Sequence, residues 1–307
     1  MKSICTISPS RYGKEYEHSC DRRGWPPFAL IRIFTQHPTD HHLYPPLSIA
    51  SRYLKYFITA SNGKGHGIHS PFVFDFVTKV LNAREKPESF GRIEALRASL
   101  KRDARVIPVE DMGAGSGLDN NTLRRVRDIA GNAAKPPKFG RLLHRISAHY
   151  RCRSVIELGT SLGISTAYMA TADSVEKVVT LEGAAQVHAL AMEHFKTLGL
   201  DNVTAVPGNF DDTLEKALQL VPSPDLVFFD GNHRYAPTLR YFLQCMEHAG
   251  EDAIFIFDDI HWSREMEDAW SEIILSPRVT CSIDLFFVGI VFFRKGFRER
   301  QHFTIRY

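Results

Sequence analysis

From residue 152 onward the sequence alternates short β-rich runs with helical stretches, and no other feature restricts the fold as strongly. "SVIEL" (154–158), "KVVTLE" (177–182), "NVTAVPG" (202–208), "DLVFFD" (225–230) and "AIFIFDD" (253–259) read as strands by their Val, Ile and Phe content and by the turn residues or acids that end them. "STAYMATA", "AAQVHALAMEHFKTLG", "FDDTLEKALQLV" and "APTLRYFLQCMEHAG" separate them as helices. Such a series means βαβ units, hence a parallel sheet doubly wound by helices on both faces. "VTCSIDLFFVGIVFFRKG" (279–296) departs from it: two strands meet near Asp284 to Gly289 with no helix between, so an antiparallel hairpin closes the sheet. The expected fold is α/β, with a seven-stranded, mostly parallel sheet preceded by a helical N-terminal region.

In that preceding region "LSIASRYLKYFITA" (47–60), "SPFVFDFVTKVLN" (70–82) and "SFGRIEALRASLKRD" (89–103) have helical spacing, and Ser70 followed by Pro71 offers an N-cap and a favoured first-turn residue. Residues 1–46 mix Pro, His, Tyr and Arg without period and read as a poorly ordered extension. The chain thus divides into 1–46, a helical cap region 47–150, and a ligand-binding domain 151–307.

No apolar run approaches the roughly 20 residues that cross a bilayer, and the N-terminus lacks a secretory apolar segment. The five cysteines (Cys5, Cys20, Cys152, Cys245, Cys281) are scattered without a CxxC pair, which suits neither a disulfide framework nor a zinc site. A cytoplasmic protein with no membrane association is expected. Charge is uneven: residues 1–150 hold 24 Lys/Arg against 13 Asp/Glu, residues 151–307 hold 14 against 22. A basic half can steer an anion; solvated helix faces account for it more simply. No basic run carries the interleaved aromatics that stack bases, which disfavours a nucleic-acid partner.

Two segments look like glycine turns for a nucleotide, "DMGAGSG" (111–117) and "ELGTSLG" (157–163). A site in an open α/β sheet needs a strand before the turn, a helix after it, and an acid ending the next strand to hold ribose hydroxyls. "SVIELGTSLGISTAYMA" meets the first two conditions, and Glu182, ending "KVVTLE", meets the third. After "DMGAGSG" the chain is polar or helical with no strand ending in an acid, so this segment reads as a turn between helices, with a role in covering the site as the alternative. A pyrophosphate favours G-x-G-x-x-G and no nearby carboxylate. Here the spacing is G-x-x-x-G, with Glu157 two residues before Gly159, which a cationic ligand tolerates better.

E-x-G-x-x-x-G with an acid one strand later, five ordered strands and a closing hairpin resemble the class I S-adenosylmethionine-dependent methyltransferases. The resemblance covers roughly 152–296. It implies that Gly159, Thr160 and Gly163 lie along the methionine part of the cofactor, that Glu157 orients its amino end, that Glu182 holds the ribose, and that Asn209 and Phe210 in "PGNFDD" meet adenine. Glu182 and Asn209 also suit a helix start and a turn.

"DGNHRY" (230–235) and "DDIHWS" (258–263) resemble the segments in which small-molecule O-methyltransferases of the catechol and caffeoyl-CoA type hold a divalent metal. Asp230, Asp258 and Asp259 thereby become candidate ligands of Mg²⁺, with Asp230 also beside the cofactor. Asp259 stands where that group commonly has Asn, and His233 where it commonly has Lys. His233 or His261 can serve instead as a metal-free general base, and Asp259 or Ser263 can cap the following helix. "HGIHSPFVFDF", "GRLLHRI" and "DDIHWSREMEDAW" together resemble a group of uncharacterised bacterial class I members. The implied activity is methyl transfer to an oxygen of a small molecule. A nucleic-acid methyltransferase is disfavoured by "DGNH" where a base-amino enzyme has Asn/Asp-Pro-Pro-aromatic. The glycine spacing and Glu157 speak against a nicotinamide oxidoreductase, and a non-catalytic nucleotide-binding module is the remaining alternative.

Overall fold

A computed structural model describes residues 43–65, 68–110, 121–132, 136–297 and 299–307. The 111–117 turn and residues 1–42 lie outside the described residues.

The main sheet contains β3 (Ser154–Leu158), β4 (Lys177–Glu182), β5 (Val203–Pro207), β6 (Leu226–Phe229), β7 (Ile254–Asp258), β8 (Cys281–Asp284), β9 (Val288–Phe292) and β10 (Gln301–Thr304), in the order β10-β8-β9-β7-β6-β3-β4-β5. The five strands β3 to β7 pair in parallel. β9 runs antiparallel to both β7 and β8, so the expected hairpin closes the sheet by inserting its second strand beside β7. All five residues of β7 are buried, as strands covered on both faces require. The expected count of seven strands is corrected to eight. β10 pairs in parallel with β8, Phe303 opposite Ile283, and only that pairing distinguishes four residues after a charged stretch as a strand.

The chain moves outward from β3 to β4 and β5, then returns to lay β6 on the other side of β3. A crevice opens at this reversal, beyond the carboxyl ends of β3 and β6, and there open α/β sheets bind ligands.

Ahead of the sheet come α1 (Pro46–Thr59), α2 (Pro71–Phe76) continued by a π-helical turn (Val77–Leu81), and α3 (Glu88–Leu100). Ser70 does occupy the N-cap of α2, but its side chain makes no capping bond. Two strands follow that the sequence reading did not anticipate. β1 (Val106–Glu110) and β2 (Asn121–Arg125) form an antiparallel ribbon, Val106 opposite Arg125 and Glu110 opposite Asn121. Pro108 interrupts the first run and the second is polar, so neither carries a strand signature. The described chain on either side of residues 111–120 is therefore strand, not helix. α4 (Val126–Asn132) and α5 (Pro137–His149) lead into β3.

One apolar cluster joins the front helices to the sheet: Phe76, Val77, Phe139 and Ile146 pack with Val155, Phe228, Ile256, Ile290 and Phe292. α5 crosses α6 (Ile164–Ala170) at Gly140, where an added Cβ would stand 2.2 Å from the ring of Tyr168. That ring is buried and lies edge-on to Phe90. Gly140→Val is expected to lower stability by about 1–3 kcal/mol through overpacking, read as a shift in the urea midpoint; an unchanged midpoint would mean that the two helices part without cost.

Candidate functional site

Three non-glycine residues in the left-handed region, Ser161 (φ 46), Asn232 (φ 52) and Asp259 (φ 54), follow β3, β6 and β7 in turn, and the first two border the crevice. Left-handed backbone costs on the order of 1 kcal/mol for an L-residue and persists where surrounding contacts impose it. At this edge the contacts are backbone to backbone. Gly159 and Thr160 both donate their N–H to the carbonyl of Leu181 at 3.0 Å, and Asp230 donates its N–H to Leu158 at 2.8 Å. Gly159 (φ +110) passes so near Asp230 that an added Cβ would lie 2.1 Å from the Asp230 carbonyl oxygen.

Glu182 ends β4 beneath this turn. Its two carboxylate oxygens accept the backbone N–H of Ser161 at 2.8 Å and of Ala184 at 2.9 Å. Burial raises its pKa, and these amides partly offset the shift. Glu157 is wholly buried and accepts hydroxyl bonds from Ser165 (2.6 Å), Thr166 and Thr180 (2.6 Å), which ties β3, α6 and β4 together. Burial outweighs the three hydroxyls and pushes its pKa up to about 7. Thr160 extends the network through its hydroxyl, 2.6 Å from that of Thr180.

Two cavities meet at this turn, with Ser161 and Asp230 in the lining of both. The larger, about 390 Å³, is bordered by Gly159, Glu182, Asn209, Phe210 and Asn232, and also by Val109, Glu110, Arg124, Asp128 and Ile129 of the ribbon and α4. Asn209 caps α8 (Phe210–Leu220), its side chain accepting from Asp211 N–H at 3.0 Å. Phe210 lies against Gly231 and edge-on to Tyr241. The narrower cavity, about 50 Å³, has walls of Phe139, Leu142, Leu143, Tyr168, Phe228 and Val288 and takes polar character from Thr160, Ser165, Asp230 and Asp258. Glu157 lines neither cavity.

Of the acids and histidines singled out from sequence, Asp230, His233 and Asp258 each present a ligand atom within 4.8 Å of the others, the one such group among the described residues. His233 Nε2 is 3.8 Å from Asp230 Oδ1. Asp259 is outside that group, and its N–H bonds to the carbonyl of Phe287 at 2.7 Å. His261 lines neither cavity. Its ring nitrogens face Asp284 Oδ2 at 2.8 Å and Glu267 Oε1 at 3.2 Å, and its ring stacks on Phe286. Burial lowers its pKa, but the two carboxylates prevail and the net shift is upward. Glu267 also takes Tyr44 and Arg52, which moors the entry to α1. Ser263 caps α10 (Arg264–Leu275) by accepting Met266 N–H. Asn232 and the ribbon residues were not read from sequence. The only signal for Asn232 was its place two residues after Asp230.

A family model described as "Methyltransferase domain" matches residues 156–260. That segment runs from within β3 to just past β7 and holds every residue of the glycine turn, Glu182, Asn209 and the Asp230 cluster. Over residues 156–260 the chain is thus similar to methyltransferase domains. No curated protein matches the chain in sequence. Among solved structures it is similar to an O-methyltransferase from Bacillus cereus in complex with SAH (18% identity, 72% of this chain and 97% of that one, TM-score 0.46). It is also similar to an O-methyltransferase from Streptomyces achromogenes involved in tomaymycin synthesis, in complex with SAM (15%, 68% and 91%, 0.48). A third is an SAH-bound methyltransferase from Podospora anserina (16%, 69% and 99%, 0.47). The matched segment supplies one side of the larger cavity, while the ribbon that borders it lies outside that segment. Among the described residues no helix is long and apolar enough to cross a membrane.

The buried carboxyl of Glu157 makes stability pH-dependent. Between an ordinary carboxyl pKa and about 7, folded Glu157 holds a proton that the unfolded chain has released, so stability falls as pH rises through that window. Relative to Glu157→Gln, the wild-type chain is expected to lose about 3 kcal/mol between pH 4.5 and pH 7. Urea denaturation of both proteins across that range checks it, and parallel pH profiles would refute it.

Proposed function

We propose that the protein is an S-adenosylmethionine-dependent methyltransferase acting on an oxygen of a small molecule. The observation that carries this reading is the charge of the larger cavity, where Glu110, Asp128, Glu182 and Asp230 face one guanidinium, Arg124. A cationic sulfonium gains from such a lining, and the pyrophosphate of a nicotinamide dinucleotide loses. In this reading Glu182, oriented by two backbone amides, takes the ribose hydroxyls. Asn209 and Phe210 border the adenine, and Gly159, Thr160 and Gly163 let the methionine end lie along the backbone. Glu157 acts from beneath, holding the turn in shape through Ser165, Thr166 and Thr180.

The cofactor supplies an activated methyl group for in-line displacement by the acceptor oxygen. The chain must align that oxygen, exclude water and take its proton. The narrow cavity's apolar walls exclude water, and its size suits a small acceptor. His233 accepts the proton, and Asp230, 3.8 Å away, stabilises the imidazolium that results.

A second reading is favoured by the convergence of Asp230, His233 and Asp258 within 4.8 Å. Two carboxylates and an imidazole fit Mg²⁺ or Mn²⁺. Such a cation would supply Lewis acidity that lowers the pKa of an acceptor hydroxyl. His233 is then a ligand rather than a base, and Asp259 takes no part. His261 enters neither reading, because both its nitrogens are engaged by carboxylates.

Calorimetric titration is expected to show binding of S-adenosylmethionine and of its demethylated product SAH, but not of NADH. Glu182→Ala should weaken SAH by about 1–3 kcal/mol; an unchanged affinity would take Glu182 out of the site. In a screen of hydroxylated acceptors, methylation that survives chelation and is lost in His233→Ala selects the first reading. Loss on chelation with restoration by Mg²⁺ or Mn²⁺ selects the second.

A further inference from the structure

The β1–β2 ribbon and the first turn of α4 lie outside the matched methyltransferase segment, yet Val109, Arg124, Asp128 and Ile129 border the same cavity as Glu182 and Phe210. Ile107, Val109 and Ile129 pack on a cluster that includes Leu162 of the glycine turn and Ala184 and Val187 of the helix after Glu182. The ribbon is thus rooted on the two elements that carry the cofactor residues. Arg124 stands opposite Ile107 in the ribbon register, and cross-strand partners share a face. Arg124 therefore rises from the same face as the apolar residues that turn toward the cavity.

We propose that this ribbon is a nucleoside clasp: Val109 and Ile129 form the apolar wall for the purine, and the Arg124 guanidinium lies over the purine face. The inference rests on the proposed cofactor. It adds that selectivity for the adenosine half is shared between the methyltransferase domain and an element built by the chain ahead of it. A guanidinium over an aromatic face retains attraction without needing a fixed hydrogen-bond partner. Arg124 and Asp128 are exposed, so replacing either leaves the packed cluster untouched.

The test compares two probes, SAH and adenosine, by calorimetry or competition on the full-length wild type, Arg124→Ala and Ile129→Ala, with thermal midpoints measured alongside. The expected result is that Arg124→Ala weakens both probes by the same factor, about 3- to 30-fold, because the contact is to the part they share. Its thermal midpoint without ligand should not move, and Ile129→Ala should act in the same direction. If wild type binds both probes and Arg124→Ala binds them equally well, the clasp is refuted while the methyltransferase reading stands. Weakening of SAH with no effect on adenosine also refutes it, because the contact then lies on the amino-acid half. If wild type binds neither probe, both the clasp and the cofactor reading fall.

Discussion

There is no room for a methyl group between Gly159 and the carbonyl oxygen of Asp230. That closeness follows from the topology: β3 and β6 are neighbours although five elements of chain lie between them, and their carboxyl ends must separate around a crevice while their last hydrogen bonds hold them together. The glycine at +110° lets the chain turn away from β6 immediately, so the next residues, Thr160 and Ser161, can present backbone to the cavity. Ser161 then directs its N–H at Glu182, and the network Thr160–Thr180–Glu157 secures the turn from below. The position of Ser161, and through its N–H the orientation of Glu182, relies on that close approach.

The electrostatics of the site follow from where its walls originate. The N-terminal half of the chain is basic overall, yet the residues it places at the larger cavity include Glu110 and Asp128 beside Arg124. Bulk charge is carried by solvated faces, whereas the local lining decides what enters. An acidic lining disfavours a ligand of net negative charge such as a dinucleotide and favours one of net positive charge.

Six consecutive residues, "DDIHWS", serve two structural tasks. Asp258 points its carboxyl into the narrow cavity beside Asp230 and His233. After the left-handed Asp259 the chain reverses direction, so that His261 meets Asp284 and Glu267 and Ser263 begins the next helix. The leading part of the segment belongs to the site and the trailing part moors α1, with Tyr53 and Tyr56 packed on Phe286 nearby. Spacing along the chain could not separate these tasks, since His233 and His261 occupy similar places after successive strands.

The sequence by itself determined the strand–helix series, the closing hairpin, the strand–turn–helix at "ELGTSLG" and the place of Glu182 at the end of β4, because each is written in periodicity, turn chemistry or an acid at a strand end. β10 and the ribbon escaped it: short, polar or Pro-interrupted strands exist only through the partners they pair with. Tertiary structure alone decided that Glu157 is buried on three hydroxyls and lines neither cavity, that His233 gathers with Asp230 and Asp258, that His261 is held by carboxylates, and that the ribbon walls the larger cavity. The physical reason is common to all four. Side-chain roles at a strand edge depend on which way the backbone leaves the strand, and neighbouring strands and helices impose that direction.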